Sequence, residues 1–207
     1  MANNRILLVN GETRRHGNTD AAEKSLTEGI LSAGGTVDVV RLSDLSMKYP
    51  GCSGCMHCQK NIPSLCVFED DYTALVSRVP EYDVLLFVTP CYFHGATAKM
   101  RCFLERLYCL YDIRGGTNRM QGRGQRWALA LNAGDPPEGG LLVTEEAFRE
   151  EAEYARIPYR SWLVGSTSDR GHKIREGSDR YAEGVSFGKM LADWEEKIPR
   201  DNLSIST

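Results

Sequence analysis

Short apolar runs alternate along the chain with longer stretches in which apolar residues recur at helical spacing. Continuous apolar runs predict strands at 5–10 and 83–89, which is typical of parallel strands buried on both faces. Further strands are predicted at 126–132 and 159–164. At 36–42, the alternation Val-Asp-Val predicts a half-exposed strand toward the edge of the sheet.

The segments between these strands carry the spacing of amphipathic helices. The first helix is predicted to begin at Asn18 or Thr19, both of which favour an N-cap, and to stop at Gly34. Later helices are predicted at 70–79, 96–110, 141–155 and 178–197. Five strands alternating with helices predict an α/β fold, a doubly wound five-stranded parallel sheet with helices on both faces.

Ligands of such sheets bind beyond the carboxyl ends of the strands. We therefore expect the functional residues in the loops that follow strands, at 11–18, 43–66, 90–96 and 133–140.

Composition narrows the class of protein without naming a function. The 207 residues, 42% of them hydrophobic and 26% charged, are expected to form one domain over 1–207 with a cysteine-rich insertion at about 43–69. The net charge of −3 argues against nucleic acid or an anionic membrane as partner. The longest apolar run, 84–88, is far shorter than the roughly 20 residues of a membrane helix. No signal-peptide core precedes the first strand, so a cytoplasmic location is expected.

Four of the seven cysteines lie close together in the sequence Cys52-x2-Cys55-x2-Cys58-x7-Cys66. In a reducing compartment this cluster favours metal binding over disulfides. Three thiols at three-residue intervals and a fourth in the same loop are more typical of an iron–sulfur cluster than of a zinc ribbon. A [4Fe-4S] cluster is therefore the favoured hypothesis, and zinc-bound or free thiols are the alternatives.

The loop after the first strand has the composition of an anion site. It lacks the Walker A and dinucleotide-binding patterns, but it places glycines and Asn18 at a predicted helix start. Free backbone N–H groups and the helix dipole at such a place bind phosphate. Many strand-to-helix turns of this composition bind nothing, so spacing alone leaves the question open.

The same loop matches the motif Gly-Ser-Pro-Arg-x-x-Gly-Asn-Thr, which opens the sequences of one known family. The matching positions are Gly11, Arg14 and 17–19, whereas Glu12 and Thr13 replace the serine and the proline of the motif.

Two further motifs of that family follow. The cysteine motif leads to the acidic pair 70–71, and 89–93 reads Thr-Pro-Cys-Tyr-Phe where the family has Ser-Pro-x-Tyr-Phe/Trp. On these motifs, the chain resembles the iron–sulfur flavoproteins of the NADPH-dependent FMN reductase group. The resemblance implies a flavodoxin-like sheet with strand order 2-1-3-4-5 and the cysteine-rich loop after the second strand.

The resemblance also implies an FMN cofactor, with its phosphate in the 11–19 loop and its ring against 90–93 and 133–140. The residues implied to bind it are Arg14, Gly17, Asn18, Thr19, Thr89, Pro90, Cys91, Tyr92, Phe93, Ala133 and Gly134. Glu12 stands where a phosphate-binding hydroxyl is expected. Its carboxylate would repel the phosphate unless it turned outward or paired with Arg14 or Arg15.

The function implied is a flavin-dependent oxidoreductase that passes electrons between a [4Fe-4S] cluster, held by the four cysteines, and FMN. No side chain is expected to act as an acid or a base, because the cofactors carry the chemistry. NAD(P)H, ferredoxin or a small molecule would serve as electron donor or acceptor, and a homodimer or homotetramer is expected. The alternatives are a cluster-free NAD(P)H-dependent FMN or quinone reductase and a non-catalytic, metal-stabilised binding or sensor protein.

Overall fold

A mainly parallel β-sheet with helices on both faces forms the framework of the protein. The structure is a computed structural model, and it describes residues 3–120, 124–136, 139–168 and 173–195. The strands in these residues are β1 (Arg5–Asn10), β2 (Thr36–Arg41), β3 (Val84–Tyr92), β4 (Gly95–Ala96), β5 (Tyr111–Asp112), β6 (Thr117–Asn118), β7 (Arg126–Asn132) and β8 (Tyr159–Val164). The α-helices are α1 (Asn18–Ser32), α2 (His57–Lys60), α3 (Asp71–Arg78), α4 (Ala98–Arg106), α5 (Gly140–Tyr154) and α6 (Asp179–Ala192).

The strand order of the main sheet is β2-β1-β3-β7-β8, and neighbouring strands along this path are parallel. This order agrees with the predicted 2-1-3-4-5 order once the short strands β4, β5 and β6 are set aside. The central strands β3 and β7 are almost wholly buried, which explains their apolar sequences. The edge strand β2 is half-exposed, as its alternating sequence predicted.

Successive residues of each strand point to opposite faces, so the sheet separates two apolar cores. On one face, Phe87 packs among residues of α3, α4 and α5. On the other face, Leu8 packs against α1 and α6. These two helices meet backbone to backbone, because a Cβ at Gly29 would lie 2.1 Å from the carbonyl oxygen of Val185, and one at Gly188 would lie 2.3 Å from that of Leu26.

The helix predicted at 96–110 is shorter in the structure. The chain first reverses through β4, and α4 begins after Thr97, whose hydroxyl accepts the N–H of Met100 and donates to the carbonyl of Gly11 at 2.7 Å. After α4, a 3₁₀ turn leads into the β5–β6 hairpin. The predicted bounds of this helix were wrong at both ends. Apolar residues keep their helical spacing there, but the chain leaves the helix to pair β4 with β3 at one end and β5 with β6 at the other.

The cysteine-rich loop runs from β2 to α3 and includes the short helix α2, which its sequence did not predict. Arg106, at the end of α4, holds this loop in place. Its guanidinium forms a buried ion pair with Asp70 at 3.0 Å and donates to the carbonyl oxygens of Tyr49 at 2.8 Å and Gly51 at 2.6 Å. Asp70 also caps α3 by accepting the N–H of Thr73.

A membrane-spanning helix is not found in the part of the chain that the structure describes. The predicted last helix, 178–197, ends in the structure at 192, and its predicted residues 196 and 197 lie outside the described residues.

Candidate functional site

The loop between β1 and α1 is closed by hydrogen bonds to the carboxylate of Glu12. Glu12 is only 3% exposed, and its Oε1 accepts the N–H groups of Thr13 at 2.9 Å and Arg14 at 3.0 Å. The hydroxyl of Tyr92 donates to the same oxygen at 3.0 Å, and Nε of Arg14 lies 3.8 Å from it. Burial, together with the charge of Glu12, raises the pKa of Tyr92, which keeps this phenol a donor. The carboxylate is therefore turned into the loop and paired with Arg14.

A second carboxylate occupies the first turn of α1. Asp20 accepts the N–H of His16 and forms an ion pair with Arg41, which also pairs with Glu23 at 2.7 Å. Burial alone would raise the pKa of Asp20, but the hydrogen bond and the charge of Arg41 outweigh it, and the pKa lies below its ordinary value. Two of the chain's own acids thus accept backbone N–H groups in a loop that has the composition of an anion site.

Two residues expected to bind phosphate connect α1 to the end of β7 and to the segment after β8. Thr19 is fully buried, and its hydroxyl accepts the side-chain amide of Asn132 at 2.9 Å. The side-chain oxygen of Asn18 accepts the N–H of Ile174 at 3.0 Å. Gly17 precedes α1, and a Cβ placed there would lie 3.4 Å from Oε2 of Glu12, which shows how far the carboxylate reaches across the loop.

A cavity of about 310 Å³ opens at the carboxyl ends of β3 and β7, and it is called the flavin cavity below because seven of the residues predicted to bind FMN line it. The residues that line it are Arg14, Asn18, Pro90, Cys91, Tyr92, Asn132, Ala133, Gly134, Thr167, Ser168 and Lys173. Asn132, Thr167, Ser168 and Lys173 were not among the predicted residues. Asn132 ends β7 and the others follow β8, so the rule that ligands bind beyond the carboxyl ends of strands could have found them.

The hydroxyl and the N–H of Thr167 bond the carbonyl of Ala133 at 2.8 Å and 2.9 Å, which joins the two loops that follow β7 and β8. Four of the residues predicted to bind FMN do not line the flavin cavity, namely Gly17, Thr19, Thr89 and Phe93. Thr89 is fully buried, and its hydroxyl donates to the carbonyl of Pro90 at 3.1 Å. Phe93 is fully exposed and has a φ of 51°, because the chain reverses there between β3 and β4. Residues 137 and 138 of the predicted 133–140 loop lie outside the described residues.

A second cavity of about 710 Å³, the basic cavity, is lined by the 14–18 segment, by the first turns of α1 and by residues 173–176. Arg14 and Lys173 line both this cavity and the flavin cavity. Six cationic side chains line it against two acidic ones, and the six are Arg14, Arg15, Lys24, Arg41, Lys173 and Arg175. Its charge suits a phosphate-bearing ligand.

A third cavity of about 780 Å³, the apolar groove, lies between the cysteine-rich loop, α4 and α5. Its lining includes Leu104, Tyr108, Val143 and Tyr154. Such a combination of aromatic and aliphatic side chains suits a flat apolar ligand.

The groove adjoins the flavin cavity across a thin wall. Cys91 lines the flavin cavity, and its Sγ lies 3.3 Å from Oγ1 of Thr144, which lines the groove. Gly140 must stay small at this wall, since a Cβ there would lie 2.9 Å from the Cα of His94.

The four clustered cysteines face different surroundings. Cys52 and Cys55 are exposed, Cys66 is half-buried and Cys58 is buried. Burial, followed by the nearby thiols of Cys52 and Cys66, raises the pKa of Cys58. A hydrogen bond from the backbone of His57 lowers the pKa of Cys55. In residues 3–195, apart from the gaps given above, no three His, Cys, Asp or Glu side chains are arranged to hold a metal ion. The thiols in this conformation therefore do not form a ready cluster site.

Known proteins share this architecture and parts of this sequence. A Bacillus subtilis protein named as an NAD(P)H-dependent FMN-containing oxidoreductase, YwqN, is 23% identical over 83% of this chain and 90% of its own length. An iron–sulfur flavoprotein from Archaeoglobus fulgidus is 29% identical over 47% of this chain and 42% of its own length. The structure of an NAD(P)H:quinone oxidoreductase from Methanothermobacter marburgensis superposes with a TM-score of 0.65, at 14% identity, over 92% of this chain and 95% of that one.

The sheet and the cavity beyond its strands define a flavodoxin-like α/β protein with a candidate flavin site. The model of the family described as NADPH-dependent FMN reductase matches residues 4–150. The chain belongs to this family and is a flavin-dependent oxidoreductase.

Proposed function

We propose that this protein uses FMN to oxidise NAD(P)H and to reduce a flat conjugated acceptor of the quinone type, with no need for an iron–sulfur cluster. One observation carries this proposal. The flavin cavity at the carboxyl edge of the sheet shares its wall with the apolar groove, so a flavin and an apolar acceptor would lie side by side. The names of the quinone oxidoreductase and of YwqN support the same chemistry.

The residues of the flavin cavity suit the flavin ring, which is flat and apolar with polar edges. Tyr92 supplies an aromatic surface, and the backbone of Ala133 and Gly134 offers polar groups beside it. The hydrogen bonds of Thr167 to Ala133 hold the loop after β8 against the loop after β7 and so fix the width of the cavity. When bound, FMN supplies the chemistry of hydride acceptance and electron release.

Enzyme kinetics with two acceptors test the role of the groove. Ala147 lines the groove on α5, and Ala147→Trp should narrow it and raise the KM for a benzoquinone at least about tenfold. NADPH oxidation with ferricyanide, which can take electrons without entering the groove, should stay near the wild-type rate. Leu142→Trp on the same helix is the matched control, because Leu142 is half-exposed and does not line the groove. Equal effects of both variants, or none from Ala147→Trp, would remove the groove from the proposal.

The basic cavity is the proposed place for the phosphates of the nicotinamide donor. Lys24 is exposed in α1 and lines this cavity. Lys24→Ala should raise the KM for NADPH about 5–10-fold and raise the KM for NADH less, because NADPH carries an additional phosphate. Lys189→Ala, an equal loss of charge on the exposed side of α6, should change neither constant. Equal changes in the KM values for NADPH and NADH would show that the cavity does not bind the additional phosphate of NADPH.

A second candidate function keeps the cluster. Its support is the placement of four cysteines in one loop and the likeness to the iron–sulfur flavoprotein over 97 residues. The loop would have to gather its thiols, since Cys55 is exposed while Cys58 is buried.

Anaerobic reconstitution with ferrous iron and sulfide, followed by visible spectroscopy, tests this candidate. A broad absorbance beyond the flavin bands that disappears in Cys55→Ser but persists in Cys102→Ser supports the cluster. Flavin bands without bound iron and sulfide would contradict the cluster and support the cluster-free reductase.

A further inference from the structure

We propose that the carboxylate of Glu12 is a built-in anion that occupies the phosphate position of the 11–19 loop, so that the protein binds FMN scarcely more tightly than riboflavin. This inference rests on the proposed function, because it concerns the flavin that this enzyme uses. In this view the flavin is an exchangeable ligand of the protein.

The donors around Glu12 are those that a phosphate would use at this place. Two consecutive backbone N–H groups, of Thr13 and Arg14, converge on one carboxylate oxygen at 2.9 Å and 3.0 Å. The phenol of Tyr92 reaches the same oxygen, and the guanidinium of Arg14 approaches it. Successive N–H groups and a cation next to a helix N-terminus form an anion site in proteins.

The position of Glu12 is stable in its surroundings. Its side chain is 1% exposed, and its own N–H donates to Oδ1 of Asn10 at 2.7 Å. Asn10 is in turn held by Glu23, whose Oε2 accepts its amide at 2.6 Å. The residue is therefore fixed at both its backbone and its carboxylate.

A phosphate cannot share this position with Glu12. Two anions at hydrogen-bond distance from the same donors repel each other strongly in a water-poor site. A phosphate would have to expel Glu12, which breaks three hydrogen bonds, or stay at the rim near Arg14 and Lys173, where water screens the attraction. Either route removes most of the affinity that a phosphate group normally adds, whereas the ring contacts of the flavin are unaffected.

Flavin titration and thermal unfolding of the flavin-free protein test the inference. Wild type should bind FMN and riboflavin with dissociation constants within about threefold of each other, measured by quenching of flavin fluorescence. In Glu12→Ser, FMN should bind at least about tenfold more tightly, with riboflavin unchanged. Inorganic phosphate should raise the melting temperature of flavin-free Glu12→Ser but not that of wild type, because only the variant has free donors.

Asp44→Ser is the matched control. It removes an equal charge near the loop, since Asp44 pairs with Arg15 at 2.9 Å, but it leaves the donors of Glu12 untouched. If Asp44→Ser strengthens FMN binding as much as Glu12→Ser does, long-range charge explains the effect and the inference fails. It also fails if wild type binds FMN more than about tenfold more tightly than riboflavin. If neither flavin binds to any variant, the proposed function fails instead, and the phosphate-dependent melting of Glu12→Ser alone decides the inference.

Discussion

The β1–α1 loop and the cysteine-rich loop emerge at the same edge of the sheet but differ in how they satisfy their polar groups. The β1–α1 loop buries Glu12 among its own donors. The cysteine-rich loop is fixed near its ends by Arg106, while Cys52 and Cys55 stay exposed. A ligand must displace a group in the first loop, whereas a metal would have to gather groups in the second. Two loops with the composition of binding sites can thus lack a free site for different reasons. In one the donors already bind Glu12, and in the other the thiols are not gathered around one position.

The largest expected effect breaks the anchor of the cysteine-rich loop. Arg106→Met leaves Asp70 buried without its cation and frees the carbonyls of Tyr49 and Gly51. We expect a loss of about 3–5 kcal/mol in the free energy of unfolding, measured by urea denaturation. Arg101→Ala, which removes an exposed ion pair with Glu105, should cost no more than about 1 kcal/mol. Similar costs for the two variants would show that the anchor is not needed.

The second prediction concerns the dependence of that anchor on pH. Burial alone would raise the pKa of Asp70, but hydrogen bonds from Arg106 and from two backbone N–H groups outweigh it and lower the pKa. A lowered folded-state pKa means that this stabilisation is present above about pH 4 and is lost as pH falls through the folded value. The stability difference between wild type and Asp70→Asn should therefore shrink from pH 7 to pH 3 in urea denaturation. Glu69→Gln, which changes an exposed carboxylate next to Asp70, is the control variant. A stability difference between wild type and Asp70→Asn that stays constant with pH would contradict the prediction.

The third prediction addresses the β1–α1 loop. Tyr92→Phe removes the phenol that donates to Glu12 and should cost about 1 kcal/mol in the flavin-free protein, measured by thermal or urea unfolding. Tyr154→Phe, at a side chain 68% exposed, should leave stability within about 0.5 kcal/mol of wild type. No loss in Tyr92→Phe would mean that the backbone N–H groups and Arg14 hold the carboxylate without the phenol.

The smallest expected effect concerns the exposed thiols of the cysteine-rich loop. Without metal, Cys55→Ser should change the free energy of unfolding by less than about 0.5 kcal/mol, because its thiol is exposed. Cys109→Ser, in the same urea assay, should cost about 1–3 kcal/mol, because Cys109 is buried and the more polar hydroxyl of serine would lose its water there. A substantial cost at Cys55 would reveal a structural role that the exposed position does not suggest.

Much of the fold could be predicted because its signals are local. The strands at 5–10, 126–132 and 159–164 match β1, β7 and β8 to the residue. The apolar sequences of β1 and β7 reflect burial on both faces of the sheet, which is typical of its interior strands, whereas the edge strand β8 is only partly buried. The β4 reversal and the β5–β6 hairpin were missed because their pairing joins short segments that carry no periodic signal.

The candidate site was less accessible to the sequence. Motif positions pointed to Arg14, Tyr92 and Gly134, which do line the flavin cavity. They also pointed to Thr89 and Phe93, which the structure places away from its walls. A motif records which positions matter in a family, but it does not record which way a side chain turns in one member.

The sequence by itself determined the layered α/β framework, the loops at its carboxyl edge and the family, because periodicity and motifs depend on residues close together in the chain. Only the tertiary structure decided the state of those loops. The fate of Glu12 depends on Tyr92, 80 residues away, and the place of the cysteine-rich loop depends on Arg106 from another helix. Hydrogen bonds and ion pairs between distant segments exist only once the chain is packed, so no local pattern encodes them.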